Sequence, residues 1–283
     1  MGSRLISIRD LLKPELPIAA GICVVAGEIV VLGGMPTFSE FLQGFLVGFF
    51  ISGSAMISND YFDLEVDRIN HPARPLPSGR ISVRETVLLT VLFSVCGLVI
   101  AALLGLWPLI FASIIWSIGL LYNWRFKETG LAGNMMVSLS VASTFVFGGV
   151  VAGGLSSGLM WVFGALAFVF DLSEEISGGV MDAKGDELRS SQSIARTKGR
   201  DYALRFSGGL YVLYMALTIV PFMMGWLGPL YLAVALIADT MGAYFFLKLY
   251  RSNTPEAGRM RIRHLYLTMT GFVIAFIACT MIQ

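Results

Sequence analysis

The run FLQGFLVGFFISGSAMIS at residues 41–58 carries no charged side chain and passes directly into NDYFDLEVD at residues 59–67. With the residues before it, the run is long enough to cross the ~30 Å hydrocarbon core of a bilayer as a helix. Helices and closed barrels alone satisfy every backbone polar group in lipid. If the helix continues through Asp67, the turn of about 100° per residue places Asp60, Asp63 and Asp67 within roughly 60° of one another. Three carboxylates therefore converge where a membrane helix meets water.

A second acidic cluster, Glu174, Glu175, Asp182, Asp186 and Glu187, follows another apolar run, Leu159 to Phe170. On helical geometry Glu175, Asp182 and Asp186 fall within roughly 40° of each other, provided Gly178-Gly179 does not break the helix. Burying carboxylates such as Asp171, Glu174 and Glu175 at an apolar helix end costs several kcal/mol unless they are paired or bound to metal.

Composition agrees with a membrane setting. Hydrophobic residues make up 56% of the 283 positions and charged ones 14%, against about a quarter charged in soluble domains. Cys23, Cys96 and Cys279 stand singly in apolar runs, which favours packing over a disulfide framework or thiolate metal site. Nine apolar segments are expected to span, near residues 16–34, 38–58, 84–105, 107–123, 131–153, 157–173, 203–222, 226–247 and 264–282. Assigning the loops alternately to the two sides puts all 20 Lys and Arg on the N-terminal side, so the positive-inside rule makes the N-terminus cytoplasmic. The expected fold is all-α, a single domain over residues 1–283 whose nine transmembrane helices form one bundle around a central cavity. Its motif loops, near 59–83 and 174–202, face the cytoplasm. No cleavable signal peptide is evident, and Arg4 to Lys13 reads as a segment lying along the membrane surface.

Between the clusters lies an arginine- and proline-rich loop, Arg68 to Arg80, with Arg74-Pro75-Leu76-Pro77-Ser78-Gly79 at its centre. Three prolines and a glycine end the helix there. Arg68 and Arg74, beside three aspartates, suit a phosphorylated ligand, whereas Arg80 and Arg84 read as charge balance. The fourth segment ends in Tyr122-Asn123-Trp124-Arg125-Phe126-Lys127, an aromatic belt with two basic residues, and Asn134 opens the fifth on its interior side. Glu28 and Asp239 are isolated intramembrane acids, and His264 reads as interfacial.

Opposed carboxylates repel by roughly 4 kcal/mol per pair at 4 Å with an effective dielectric near 20. Oxygen-only clusters suit a hard cation such as Mg²⁺, which binds one or two carboxylates and completes its shell with water and phosphate. Nearby Arg and Lys would hold the remaining phosphate oxygens. The pattern points to a magnesium diphosphate carrying a lipid tail, which aromatic and Met-rich helices would house. No nucleic-acid partner is expected.

Asn59-Asp60-x-x-Asp63-x-x-x-Asp67 with Arg74-Pro75-Leu76-Pro77-Ser78-Gly79, and Glu175-x-x-x-Gly179-x-x-Asp182-x-x-x-Asp186, resemble the two signatures of the UbiA superfamily of intramembrane prenyltransferases. The resemblance covers essentially the whole chain. It implies that Asp60, Asp63, Asp67, Asp182 and Asp186 are the catalytic carboxylates and bind two Mg²⁺ ions, directly or through water. It further implies that Asn59, Arg68, Arg74, Lys127 and Lys198 hold the diphosphate, with Tyr122, Asn134 and Glu175 as further substrate contacts. The wording of both signatures looks most like the archaeal branch. That likeness implies transfer of a geranylgeranyl group from geranylgeranyl diphosphate to the glycerol hydroxyl of geranylgeranylglyceryl phosphate, forming the second ether bond of archaeal membrane lipids and releasing diphosphate. An aromatic acceptor of hydroxybenzoate or naphthoate type is the alternative within the family. A cation transporter is the alternative outside it, disfavoured because no polar stripe runs from the acids to the far side.

Overall fold

The structure, a computed structural model, describes residues 2–182 and 192–282. Asp186 and Glu187 of the second cluster lie outside the described residues. Twelve α-helices and one π-helical turn account for most of the described chain, which divides into two compact units.

The first unit holds residues 1–28, 36–125 and 143–155. Its helices are α1 (Gly2–Leu12), most of α2 (Glu15–Leu32), α3 (Phe38–Phe62), α4 (Leu64–Asn70), α5 (Val83–Leu104) and α6 (Leu106–Leu121), with the end of α7 (Leu131–Val151). Short sequence signals set the starts of α3 and α5. Thr37 and Glu40, and likewise Ser82 and Glu85, form reciprocal capping boxes that satisfy otherwise orphaned N–H groups. Gly105, at φ 130°, turns the chain between α5 and α6, a conformation that an L side chain rarely adopts.

Val24, Val47, Ile51, Ala101, Ala112 and Phe147 make the core of this unit. A second cluster of Leu11, Ile57 and Ile81 fastens α1 to α3. Along α5 the pattern inverts: Val87, Leu88, Val91, Leu92, Val95, Val99 and Leu103 all point outward. An apolar stripe of that length on an outer surface is a face for lipid.

Backbone approaches backbone where α2 meets the end of α7. A Cβ on Gly148 would stand 1.8 Å from the Val24 carbonyl oxygen, and one on Gly27 would stand 2.0 Å from that of Phe145. Small residues at helix contacts are how membrane helices gain dispersion energy without a hydrophobic drive. Overpacking usually costs about 1–3 kcal/mol, and here the obstacle is main chain that cannot rotate away. Gly148→Ala is therefore expected to lower the yield of monodisperse, detergent-extracted protein several-fold. A wild-type elution profile and melting curve would show that the helices can move apart.

The second unit holds residues 29–35, 126–142 and 156–283. Its long helices are α8 (Gly158–Asp182), α10 (Arg200–Met223), α11 (Pro229–Tyr250) and α12 (Pro255–Ile282), with the short α9 (Ile194–Lys198) before α10. Helices α8 and α10 are joined by buried hydroxyls: the Ser173 and Ser207 Oγ atoms lie 2.9 Å apart, and those of Ser177 and Ser207 2.8 Å. Leu172, Ile176 and Ala203 pack beside them, and Phe163, Tyr231 and Phe276 form an aromatic group elsewhere in the unit.

Among the described residues eight helices are long and apolar enough to cross a membrane. The chain is an all-helical, multi-pass membrane protein. Helix α8 has the length to be a ninth span, but its second half carries Asp171, Glu174 and Glu175. It runs unbroken through Gly178-Gly179, so that pair does not end the helix.

Two boundaries correct the sequence reading. The last helix begins at Pro255, not 264, with Thr254 Oγ1 accepting from the Ala257 N–H at 3.2 Å and proline in the first turn. Arg259, Arg261 and Arg263 are thus helical, since charge marks where a helix enters water without ending it. His264 lies inside α12, its ring stacked on Phe245 with centroids 4.8 Å apart. The other correction is at Asp63, where α3 stops and α4 begins.

Candidate active site

Three consecutive structural decisions shape the first acidic cluster. Helix α3 runs past its apolar section to Phe62, so Asn59 and Asp60 ride on its last turn. Asp63 then adopts φ −85°, ψ −1°, its N–H still bonded to Asn59 O at 2.9 Å, and the chain restarts as α4. Asp67 sits on α4. A single continuous helix was expected. The break leaves Asp60 and Asp67 with no exposed surface and Asp63 with 8%.

Buried carboxylates need counter-charge. Arg74 supplies part of it: its Nη1 lies 2.5 Å from Asp67 Oδ2 and 3.9 Å from Asp60 Oδ1. The prolines around Arg74 keep this loop from continuing α4 and turn it back on the helix. Lys13, at the junction of α1 and α2, supplies a second cation through Nζ, 2.8 Å from Asp60 Oδ1. Each aspartate retains one buried oxygen, Asp60 Oδ2 and Asp67 Oδ1, without a hydrogen-bond partner.

Lys13 was missed in the sequence, where it counts only toward topology. It is separated from Asp60 by 47 positions, and no spacing rule links them. Asn123 was missed too. It lies in the π-helical turn Tyr122–Phe126, its Oδ1 accepting from Asn59 Nδ2 at 3.0 Å and its own Nδ2 donating to Ala55 O at 2.9 Å and Ser58 Oγ at 3.0 Å. Asn59 is thereby held beside Asp60 by a different element. Single π turns inside α-helices recur at functional sites, and the asparagine amid aromatics was the available signal.

Arg68 does not join the buried group. It pairs with Glu65 at 2.8 Å on the outer side of α4, both side chains more than half exposed. Tyr122 and Lys127 are half-buried in and just after the π turn.

In the second unit the acids sit on α8. Asp171 Oδ2 accepts from Ser138 Oγ on α7 at 2.8 Å. Glu174 and Glu175 are half-buried in the following turn, and Asn134, one turn before Ser138, is half-buried as well. Asp182 closes α8 as its last residue, and its side chain is outside what the structure describes. Lys198 is exposed on α9, its Nζ 4.8 Å from the centroid of the Tyr202 ring.

The isolated acids stand apart from these groups. Glu28 is fully buried with both carboxylate oxygens unpartnered, so close to Gly44 that a Cβ there would lie 2.0 Å from Oε1. Asp239 Oδ2 accepts from Thr218 Oγ1 at 2.7 Å, while Tyr231 donates to the Thr218 carbonyl at 2.8 Å.

Among the described residues no three His, Cys, Asp or Glu side chains gather into a ready-made metal cage. The donor chemistry nevertheless fits Mg²⁺. Asp60 and Asp67 offer buried, hard, unpartnered oxygens, and this ion needs only one or two protein carboxylates when phosphate and water complete its shell.

Buried carboxylates at the end of a membrane helix, balanced by Lys and Arg, suit an enzyme that handles a charged head group on an apolar tail. The chain belongs to the UbiA prenyltransferase family, whose model matches residues 20–278, and it is a prenyltransferase. It is 34% identical over 229 residues to the digeranylgeranylglyceryl phosphate synthase of Methanopyrus kandleri, covering 81% of this chain and 83% of that protein. The synthase of the same name from Thermococcus kodakarensis is 27% identical over 97% of this chain and 98% of its own. In three dimensions the chain superposes on a digeranylgeranylglyceryl phosphate synthase structure with TM-score 0.84, 26% identity and 99% coverage of both chains. It superposes on a UbiA homolog from Archaeoglobus fulgidus bound to GPP and Mg²⁺ with TM-score 0.70 and 21% identity, covering 96% of this chain and 98% of that one.

Proposed function

We propose that this chain transfers a geranylgeranyl group from geranylgeranyl diphosphate to the free glycerol hydroxyl of geranylgeranylglyceryl phosphate. The hydroxyl oxygen bonds to C1 of the prenyl chain, the C1–oxygen bond to diphosphate breaks, and the hydroxyl proton leaves to solvent. The observation carrying the reading is the pair of buried aspartates, Asp60 and Asp67, each balanced by a cation and each keeping one unpartnered oxygen. Relatives of the same name along most of the chain support this choice of substrates.

Mg²⁺, in two sites as the family likeness implies, would supply positive charge to the departing diphosphate. Asp60, Asp63 and Asp67 would hold it on the first unit, with Asp182 and Asp186 as the corresponding carboxylates of the second signature. Arg74, with Asn59 fixed by Asn123, would bind and orient the diphosphate. Lys127, Lys198 and Arg68 are further phosphate contacts under this reading, Arg68 only after leaving Glu65. Tyr122, Asn134 and Glu175 would line the substrate's path. Counting α8 as the ninth span gives one side all the basic loops, which makes that side, and the active site, cytoplasmic.

The test is an assay of purified protein with labelled geranylgeranyl diphosphate, offering geranylgeranylglyceryl phosphate and 4-hydroxybenzoate in parallel. Magnesium-dependent ether product with the glycerophospholipid alone is expected, with loss of turnover on chelation. Product with the aromatic acceptor alone would overturn the choice of acceptor.

A further inference from the structure

A cavity of about 460 Å³ opens beside Arg74, and its wall differs in kind from the carboxylate site. His71, Arg74 and Arg80 line it together with Asp10 of α1, and Pro72, Ala73 and Pro75 complete the lining. None of Asp60, Asp63 or Asp67 reaches it. We propose that this cavity is a subsite for a phosphate monoester, and that it receives the phosphate of the acceptor lipid, not the prenyl diphosphate. The assignment rests on the proposed reaction, in which the acceptor is a phosphorylated glycerol.

The donor set selects the ligand. A magnesium diphosphate brings a cation that asks for carboxylate oxygens, and the cavity has a single carboxylate, Asp10, already paired with Arg9 and Arg80. A phosphate without its own metal asks for N–H donors, and guanidinium groups match its geometry. Arg74 spends Nη1 on Asp67, and among the described residues its Nε and Nη2 have no acceptor. Arg80 is already aimed: Nη2 donates to Ala73 O at 2.6 Å and Nε to Ser78 Oγ at 3.1 Å. Its remaining contact, Nη1 to Asp10 Oδ2, is long at 3.4 Å, and Asp10 is shared with Arg9 at 3.0 Å. A phosphate carrying up to two negative charges would outcompete that contact.

Position agrees with chemistry. His71 and Arg80 are exposed, so a polar head can enter from water while its tail stays in lipid. One guanidinium, that of Arg74, separates the cavity from the buried Asp67. In a glycerol phosphate the free hydroxyl is only a few bonds from phosphorus, so a phosphate held here would leave the nucleophile close to the carboxylate site.

The experiment uses the full-length protein and three variants, His71→Ala, Arg80→Gln and Arg80→Lys, with melting curves to confirm folding. Steady-state kinetics would be measured for each substrate. Calorimetry without prenyl diphosphate would compare geranylgeranylglyceryl phosphate with its dephosphorylated alcohol. His71→Ala and Arg80→Gln are expected to raise the acceptor's KM and Kd about 10-fold to 100-fold, the scale of losing a charge-assisted hydrogen bond. The diphosphate's KM should move less than twofold, the preference for phosphorylated acceptor should collapse, and Arg80→Lys should restore part of it. If Arg80→Gln does not fold, His71→Ala and Arg80→Lys carry the test. A rise in the diphosphate's KM instead, or unchanged acceptor binding, would overturn the subsite alone. A wild-type enzyme that prenylates only the aromatic acceptor would overturn the proposed reaction and the subsite with it.

Discussion

Replacing Asp67 by asparagine is expected to cut the rate of prenyl transfer by about 10²-fold to 10³-fold, the loss seen when one preorganised electrostatic group is removed from an active site. Asparagine keeps the side chain's size and one oxygen, so α4 should still form and the protein should extract normally. What it loses is the charge. Asp67 is completely buried, and its Oδ2 lies 2.5 Å from Arg74 Nη1. Under the proposed function that carboxylate serves twice, offering Oδ1 to a magnesium ion and holding Arg74 toward the diphosphate. Half-saturation by Mg²⁺ should accordingly move to higher concentration, and binding of prenyl diphosphate measured without turnover should weaken. Activity within a few-fold of wild type, with an unchanged magnesium titration, would remove Asp67 from the site.

Helical spacing converts directly into a shared face for the acids at 60, 63 and 67, and the break at Asp63 does not part Asp60 from Asp67, which still share Arg74. Eight of the nine apolar segments correspond to long membrane-type helices, with boundaries mostly within a few residues. The exception in length, α12, starts nine residues early because Thr254-Pro255 is a strong start signal and its arginines can extend beyond the lipid. Lys13 and Asn123 were not legible. Both act through contacts made by elements far apart in the chain, and each is an ordinary interfacial residue in its own neighbourhood. Arg68 is the reverse case, a candidate read from the sequence whose side chain is paired outside the buried group. Its nearness in sequence to the aspartates made it a phosphate candidate, yet at three positions from Glu65 it has a helical neighbour to pair with first.

Lys13→Ala carries the other large effect, and it follows from an unusual backbone. Lys13 is the only non-glycine among the described residues with positive φ, at 49°, and it stands directly before Pro14, where the helical region is already disfavoured. A side chain is kept in such a conformation only when its surroundings hold it there. Two contacts do so: Leu11 anchors the end of α1 against Ile57, and Nζ reaches fully buried Asp60. Breaking a buried ion pair usually costs about 3–5 kcal/mol. Lys13 is 28% exposed and Arg74 remains 3.9 Å from the same oxygen, so the expected loss without metal is about 1–3 kcal/mol, visible as a lower melting temperature. Magnesium should reverse it. In wild-type protein a cation arriving at Asp60 must share that carboxylate with an ammonium group already in place. In the variant it meets an uncompensated charge, so the thermal stabilisation by Mg²⁺ should be larger and half-saturation lower. Lys13→Arg keeps the charge and should behave as wild type in both measurements. Should Lys13→Ala instead melt with wild type and respond equally to magnesium, the ion pair would be incidental, and Asp60 would owe its burial to Arg74 alone.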